Sequence, residues 1–186
     1  MCRLKRHNVV NFVVKRDGQK ADLRAYHVLM KNLWLVLGVV GCIVACQLAG
    51  AIGVLTSPTG NSPWYRALAK PAFNPPGWIF GPVWTILYTM MGVSLWLLLR
   101  VGWGEAKWAI LLFVAQLLLN ALWTPVFFRW HEIGWALAVV VAMELLIVAT
   151  IAAAWPVSRP AGVLLLPYAM WVGFASVLNA AIWRLN

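Results

Sequence analysis

Three sets of residues in this chain could do chemistry together. Trp84, Tyr88, Gly92 and Trp96 recur at every fourth position, so on a helix they form one stripe. Gln116 and Asn120 repeat that interval, with Trp123 a turn further on. Tyr168, Trp171, Ala175 and Leu178 share a third face. Turned toward one another, these stripes would wall a cavity with indole and phenol rings and give it a few amide groups. That is the make-up of a site for a large, flat, apolar molecule with a few polar substituents. Two plainer roles stand beside it. The amides can bond across helices, a role compatible with ligand contact, and the rings can instead simply fill a core.

Conventional catalytic sets are missing. There is no HExxH, no GxSxG and no phosphate-cradling glycine loop. His131 is the sole histidine beyond residue 30 and falls in a connection, which argues against a haem electron carrier with buried axial ligands. Cys2, Cys42 and Cys46 make no disulfide framework, and Cys42 and Cys46, four apart, suit two small packing residues. The expectation is therefore no metal and no required cofactor. Glu144 is the only acid well inside an apolar run. Ionised at a bilayer centre it would cost roughly 2.5–3.5 kcal/mol, so it should face other helices or be protonated. With no histidine or second carboxylate at its depth, a packing role is expected over a proton relay.

The elements that must position these stripes follow from composition. Of 186 residues, 63% are apolar and 11% charged, against about 45–50% and about 25% in soluble domains. A chain this short cannot hide so much apolar surface from water. The expected fold is an all-α integral membrane protein, a five-transmembrane-helix bundle with a short amphipathic helix in the first loop. Apolar segments of about 20 residues, the length that crosses a bilayer, fall at Leu33–Leu55, Trp78–Leu99, Trp108–Phe128, Trp135–Trp155 and Ala161–Trp183. Short connections at Arg100–Lys107, Arg129–Gly134 and Pro156–Pro160 make successive helices antiparallel neighbours. Thr56–Gly77 is too polar and proline-rich to span. There Ser62-Pro63 signals a helix start, and Trp64–Ala69 gives about two turns of a surface lid before Lys70-Pro71. Gly41, Ala45, Ala49 and Gly53 form a ridge of small residues for close helix approach, within the bundle or between protomers, and Pro167 should bend the fifth helix.

The net charge of +10 is unevenly placed: eight of the fifteen cations lie in residues 1–31. The others lie near segment ends, where they anchor to headgroups, and the aromatics lie in apolar runs. No nucleic-acid partner is expected. Residues 1–30 are expected to be a disordered basic tail or an untranslated extension, with Met30 as the native start; residues 31–186 are the membrane domain. Counting the tail, the charges place the amino terminus inside; without it they decide nothing. Trp34, Trp78, Trp103, Trp108, Trp130, Trp135, Trp155 and Trp183 fit an interfacial aromatic belt; Trp84, Trp96, Trp123 and Trp171 lie deeper.

Residues 64–76 (WYRALAKPAFNPP), 80–85 (FGPVWT) with Leu87-Tyr88, 116–123 (QLLLNALW) and 167–171 (PYAMW) with Phe174-Ala175, Leu178-Asn179 and Leu185-Asn186 together resemble the TspO/MBR family, the tryptophan-rich sensory or translocator proteins. The resemblance covers about residues 33–186. It implies a five-helix bundle, often a homodimer, that binds protoporphyrin IX and haem and, in animal members, cholesterol and synthetic ligands. It implies a pocket under the first loop formed by Tyr65, Trp84, Tyr88, Gln116, Asn120, Trp123, Trp171 and Ala175. The implied role is a tetrapyrrole receptor or sensor in porphyrin handling or stress. The alternatives are a light- and oxygen-dependent porphyrin-degrading enzyme, in which Trp84 and Trp171 are the candidate catalytic residues, or a passive porphyrin or sterol transporter. A bacterial cell membrane is the expected location. Two positions depart from the pattern: Ala180-Ala181 replace a tyrosine pair of the animal sterol segment, which speaks against cholesterol, and Phe73 stands where many relatives carry Trp.

Overall fold

The structure, a computed structural model, describes the backbone of residues 2–55, 57 and 62–186, and within these the side chains of 26, 27, 29–55, 57 and 62–186. The chain divides into two compact units, residues 1–38 and 39–186. The first belongs to helix α1 (Cys2–Leu55). There the ring of Tyr26 meets His27 edge-on, and Leu29, Leu33 and Trp34 are exposed. The expectation of a disordered or untranslated tail falls mainly on side chains outside the described residues.

The second unit holds the rest of α1, then α2 (Pro63–Ala67), a 3₁₀ turn (Gly77–Ile79), α3 (Phe80–Val101), α4 (Trp103–Phe128), α5 (Ile133–Ala154) and α6 (Arg159–Leu185). Among the described residues there is no strand. Among the described residues five stretches are long and apolar enough to cross a membrane: Leu29–Leu55, Gly77–Val101, Trp103–Phe128, Ile133–Ala154 and Arg159–Leu185. Within this unit α4 packs on α5, α5 on α6, α6 on α3, and α3 on α4. The shared core is Met91, Phe113, Val140, Met143, Ile147, Leu165, Tyr168 and Val172, all buried. The eight belt tryptophans are all exposed, whereas Trp64, Trp84, Trp96, Trp123 and Trp171 are half-buried. Ring position thus separates anchors from interior.

The third and fourth elements meet more tightly than the sequence suggests. In place of a loop over Arg100–Lys107, only Gly102 separates α3 from α4. Trp103-Gly104-Glu105 forms the first turn of α4, with Glu105 at the positive end of the helix dipole. The Ala106 N–H donates to the Gly102 carbonyl at 3.0 Å. Polar residues at a membrane interface were thus the start of a helix and not a connection. Gly102 has φ 102° with open space around its Cα, so backbone conformation, not crowding, calls for glycine.

Within the bundle, α1 does not use the small-residue ridge as its contact line. Gly41 and Ala45 are exposed and Ala49 is half-buried; of the four only Gly53 is buried. The contacting face instead runs Ile43, Cys46, Gly50 and Gly53, a three-and-four spacing that stays on one side of a helix where strict fours drift. A Cβ on Gly50 would run into the Tyr88 ring, and one on Gly53 would lie 2.9 Å from Thr124 Oγ1. Gly92 of α3 lies against the backbone of Ile43. Beside these contacts Gln47 Nε2 donates to the Thr85 carbonyl at 2.9 Å and to Thr89 Oγ1 at 3.2 Å. Cys46 is buried and Cys42 half-buried, both as free thiols.

Gly92→Ala should lower unfolding stability in detergent by about 1–3 kcal/mol, the usual range for overpacking. Gly81→Ala, where a Cβ meets nothing within 4 Å, should cause no loss. Equal effects from the two would contradict the close approach of α1 and α3.

Candidate functional site

Four polar side chains from three helices meet in the apolar interior. Tyr88 on α3 donates its phenol proton to Asn120 Oδ1 on α4 at 2.5 Å. Asn120 Nδ2 donates to the Tyr168 oxygen on α6 at 3.0 Å. Tyr168 in turn donates to Gln116 Oε1, one turn from Asn120, at 2.8 Å. All four residues are buried. The spacing of four that pairs Gln116 with Asn120 lets both reach the same phenol. Gln116 Nε2 keeps no partner. The amides therefore do act as interhelical links.

Aromatic rings surround this node. Trp84 stacks on Tyr88 with centroids 5.3 Å apart and meets Tyr168 edge-on at 6.2 Å. Trp171 contacts Phe80 at 5.8 Å and Phe174 at 5.6 Å, and Phe174 reaches Phe73 of the loop. The Trp171 indole N–H is buried without an acceptor. Trp123 stacks on Phe127 at 5.2 Å and donates from Nε1 to Asn179 Oδ1 at 3.2 Å. Asn179 Nδ2 then donates to the Ile133 carbonyl at the start of α5. Ala175 is half-buried on the same face of α6 as Trp171 and Asn179. Glu144 is half-buried; its Oε1 faces Gly173 of α6, and Oε2 has no hydrogen-bond partner.

The lid closes one end. Ser62 caps α2 by accepting from the Tyr65 N–H at 3.2 Å, as Ser-Pro signalled. Trp64 lies flat on His131 of the α4–α5 turn, centroids 4.1 Å apart. His131 adopts a left-handed φ of 60°. Tyr65 packs on Phe127 and Phe128. Burial pushes the Tyr65 phenol above its ordinary range, with the Asn74 side chain opposing the shift. Past the lid, the Ala69 N–H donates to Asn186 Oδ1 at 3.0 Å, and Asn186 Nδ2 donates back to the Ala69 carbonyl at 3.1 Å. One amide side chain thus ties the loop to the end of α6.

Each residue expected in the site is found on an inner face or under the lid. Tyr88, Gln116 and Asn120 form one node, Trp84 joins it by stacking, and Tyr65 and Trp123 form a second ring cluster beneath α2. Trp171 with Ala175 lies nearer the α3–α6 seam. The expected set omitted Phe80 and Asn179 as contacts, although Phe80 precedes Trp84 by four and Asn179 follows Ala175 by four; Tyr168 was read in the third stripe but not in the pocket that the resemblance implies. Asn186 had no signal in local spacing. Two shallow grooves lie to the side. One of about 360 Å³ runs along Val83, Leu87, Pro167, Met170 and Trp171. The other, about 260 Å³, is lined by Val126, Trp130, Glu132, Trp135 and Val139.

Apolar spans with exposed tryptophan ends, a capped proline-rich lid and an aromatic interior stitched by buried amides define a multi-pass integral membrane protein of the helical class. The chain belongs to the TspO/MBR family, which it matches over residues 42–184. It is 42% identical over 147 residues to the tryptophan-rich protein TspO of Chlorobaculum tepidum, covering 78% of this chain and 93% of that one. It is 37% identical over 150 residues to protein CrtK of Rhodobacter capsulatus, with 77% and 89% covered. To the human translocator protein it is 35% identical over 149 residues, with 78% and 83% covered.

Asn120→Leu strands the Tyr88 phenol and removes a donor to Tyr168, so stability should fall by about 1–3 kcal/mol. Tyr88→Phe combined with Asn120→Leu should cost less than the two single losses added, since both act on one bond. Strict additivity in denaturant titrations would exclude the shared node. Asn186→Ala should speed hydrogen exchange at the Ala69 amide while leaving amides in the core of α4 unchanged. The raised Tyr65 phenol favours the neutral form in the folded state. Its contribution to lid stability is full below the ordinary tyrosine value of about 10 and is lost as pH rises above it, so a Tyr65→Phe variant should show a shallower alkaline loss.

Proposed function

We propose that this protein is a membrane receptor for tetrapyrroles such as protoporphyrin IX and haem, acting in porphyrin sensing or handling. The observation that carries this reading is the gathering of rings on the inner faces of α3, α4 and α6: half-buried Trp84, Trp123, Trp171, Phe80 and Phe174, with buried Phe127. Such rings offer stacking surface to a planar macrocycle. The buried, unpartnered Trp171 N–H offers one donor to it. Support also comes from kinship: among relatives about two-fifths identical is one called a tryptophan-rich sensory protein, from Cereibacter sphaeroides, 39% identical over 145 residues.

The packing of the interior adds a condition. The Gln116 and Asn120 oxygens are taken by the two phenols, and of the two grooves one falls below and one at the small end of the roughly 300–1,000 Å³ that ligand sites use. On this reading binding is by induced fit: the lid lifts, rings part, and the macrocycle takes the place of ring–ring contacts. The loop is the segment suited to this, being held by a few hydrogen bonds and stacks where the helices share a continuous core.

Protoporphyrin IX titrated into purified protein should quench tryptophan fluorescence saturably. Trp84→Phe with Trp171→Phe should weaken affinity at least tenfold while Trp135→Phe, at an exposed belt position, leaves it unchanged. Equal affinity in the double variant would remove these rings from the site. Absence of saturable quenching in the unaltered protein would remove the tetrapyrrole reading itself.

A further inference from the structure

Lys70 follows the lid helix and is half-buried. Its Nζ donates to the Leu68 carbonyl at 3.0 Å and to the Arg66 carbonyl at 3.4 Å, and lies 4.6 Å from the centroid of the Tyr65 ring. An ammonium carries three N–H donors; two are taken by carbonyls, and one is left. Among the described residues Lys70 makes no ion pair, and its partners are dipoles and a ring face. A charge held in a fixed position, shielded on one side and unneutralised, is suited to an anion.

The surroundings have the same sign. The loop end of the bundle carries Arg66, Lys70, Arg129 and Arg184, with Glu132 as the acid of that end. The other described acids are elsewhere: Glu105 opens α4 at the opposite end, and Glu144 lies within α5. Lys70 differs from the other cations of this end in its seat on Tyr65, whose ring packs directly on Phe127 and Phe128. The ammonium therefore stands at the edge of the aromatic interior.

We infer that Lys70 is the anchor for a ligand carboxylate and makes the site selective for flat apolar molecules that bear ionised carboxylates on one edge. This rests on the tetrapyrrole reading, since protoporphyrin carries two propionates on one edge of its ring. The ring slots among Trp84, Trp123 and Trp171, and the propionate edge turns toward the loop. The opposite orientation would bury two anions among apolar helices where no cation waits. The third N–H of Lys70 then closes a charge-assisted hydrogen bond, the stronger kind, in a place partly screened from water.

The test pairs two ligands with three proteins. Protoporphyrin IX and its dimethyl ester are titrated into the unaltered protein, Lys70→Gln and Lys70→Arg, in the same detergent. The unaltered protein should bind the free acid about tenfold more tightly than the ester. Lys70→Gln should weaken the acid by a similar factor and leave the ester unchanged, erasing the preference; unchanged ester binding also certifies that the variant is folded. Lys70→Arg should keep most of the preference. If acid and ester bind the unaltered protein equally, tetrapyrrole binding stands and the role of Lys70 falls. An undiminished preference in Lys70→Gln also overturns it. If neither porphyrin binds, the receptor reading fails and takes this inference with it.

Discussion

Tyr88, Asn120, Tyr168 and Gln116 bring polar atoms into a region where neither water nor lipid can satisfy them. Once α3, α4 and α6 are in a bilayer, each of these groups must find another, because leaving a donor or acceptor bare among hydrocarbon costs more than most packing contacts return. The chain of phenol to amide to phenol to amide is the solution, and it fixes the rotation of three helices about their own axes at once. Apolar side chains alone could not do this, since one greasy face fits a lipid as well as it fits a neighbouring helix. The stacking of Trp84 on Tyr88 and the packing of Met91, Phe113 and Val172 around the node then follow from a rotation already set.

The same node bears on function in a way that composition alone would not suggest. Amides pledged to phenols are not idle ligand contacts, so an incoming molecule meets ring faces first. The polar groups left over are the Trp171 indole N–H and the Gln116 Nε2 amino group, both buried, and the Lys70 ammonium at the loop. On the proposed receptor reading, recognition would be mainly stacking, with orientation supplied by charge at the mouth.

How far this was visible in the sequence depends on the range of each interaction. The five spans and the capped lid were readable because hydropathy and helix-start chemistry are local. The stripes of Trp84-Tyr88, Gln116-Asn120 and Trp171-Ala175 were readable because helical periodicity is local too, and they do face inward. Pairing between stripes was not readable: no spacing says that Tyr88 meets Asn120 and Tyr168 meets Gln116. The Ala69–Asn186 bridge spans 117 positions and leaves no mark at either end. Which face of α1 meets the bundle was not readable either: a strict interval of four slowly winds around a helix, and the contact runs through Ile43, Cys46, Gly50 and Gly53. The α3–α4 junction failed because interfacial polarity resembles a loop until a single glycine is seen to turn the chain.

That junction governs how the bundle can move. With one residue between α3 and α4, and Ser94 Oγ donating to the Ala161 carbonyl of α6 nearby at 2.9 Å, the end bearing Arg100 and Trp103 has no slack to let its helices separate. The opposite end is the less constrained of the two, since there the chain from α1 to α3 runs through the lid. On the induced-fit reading, any parting of the ring clusters would begin at the lid end and leave the α3–α4 joint closed.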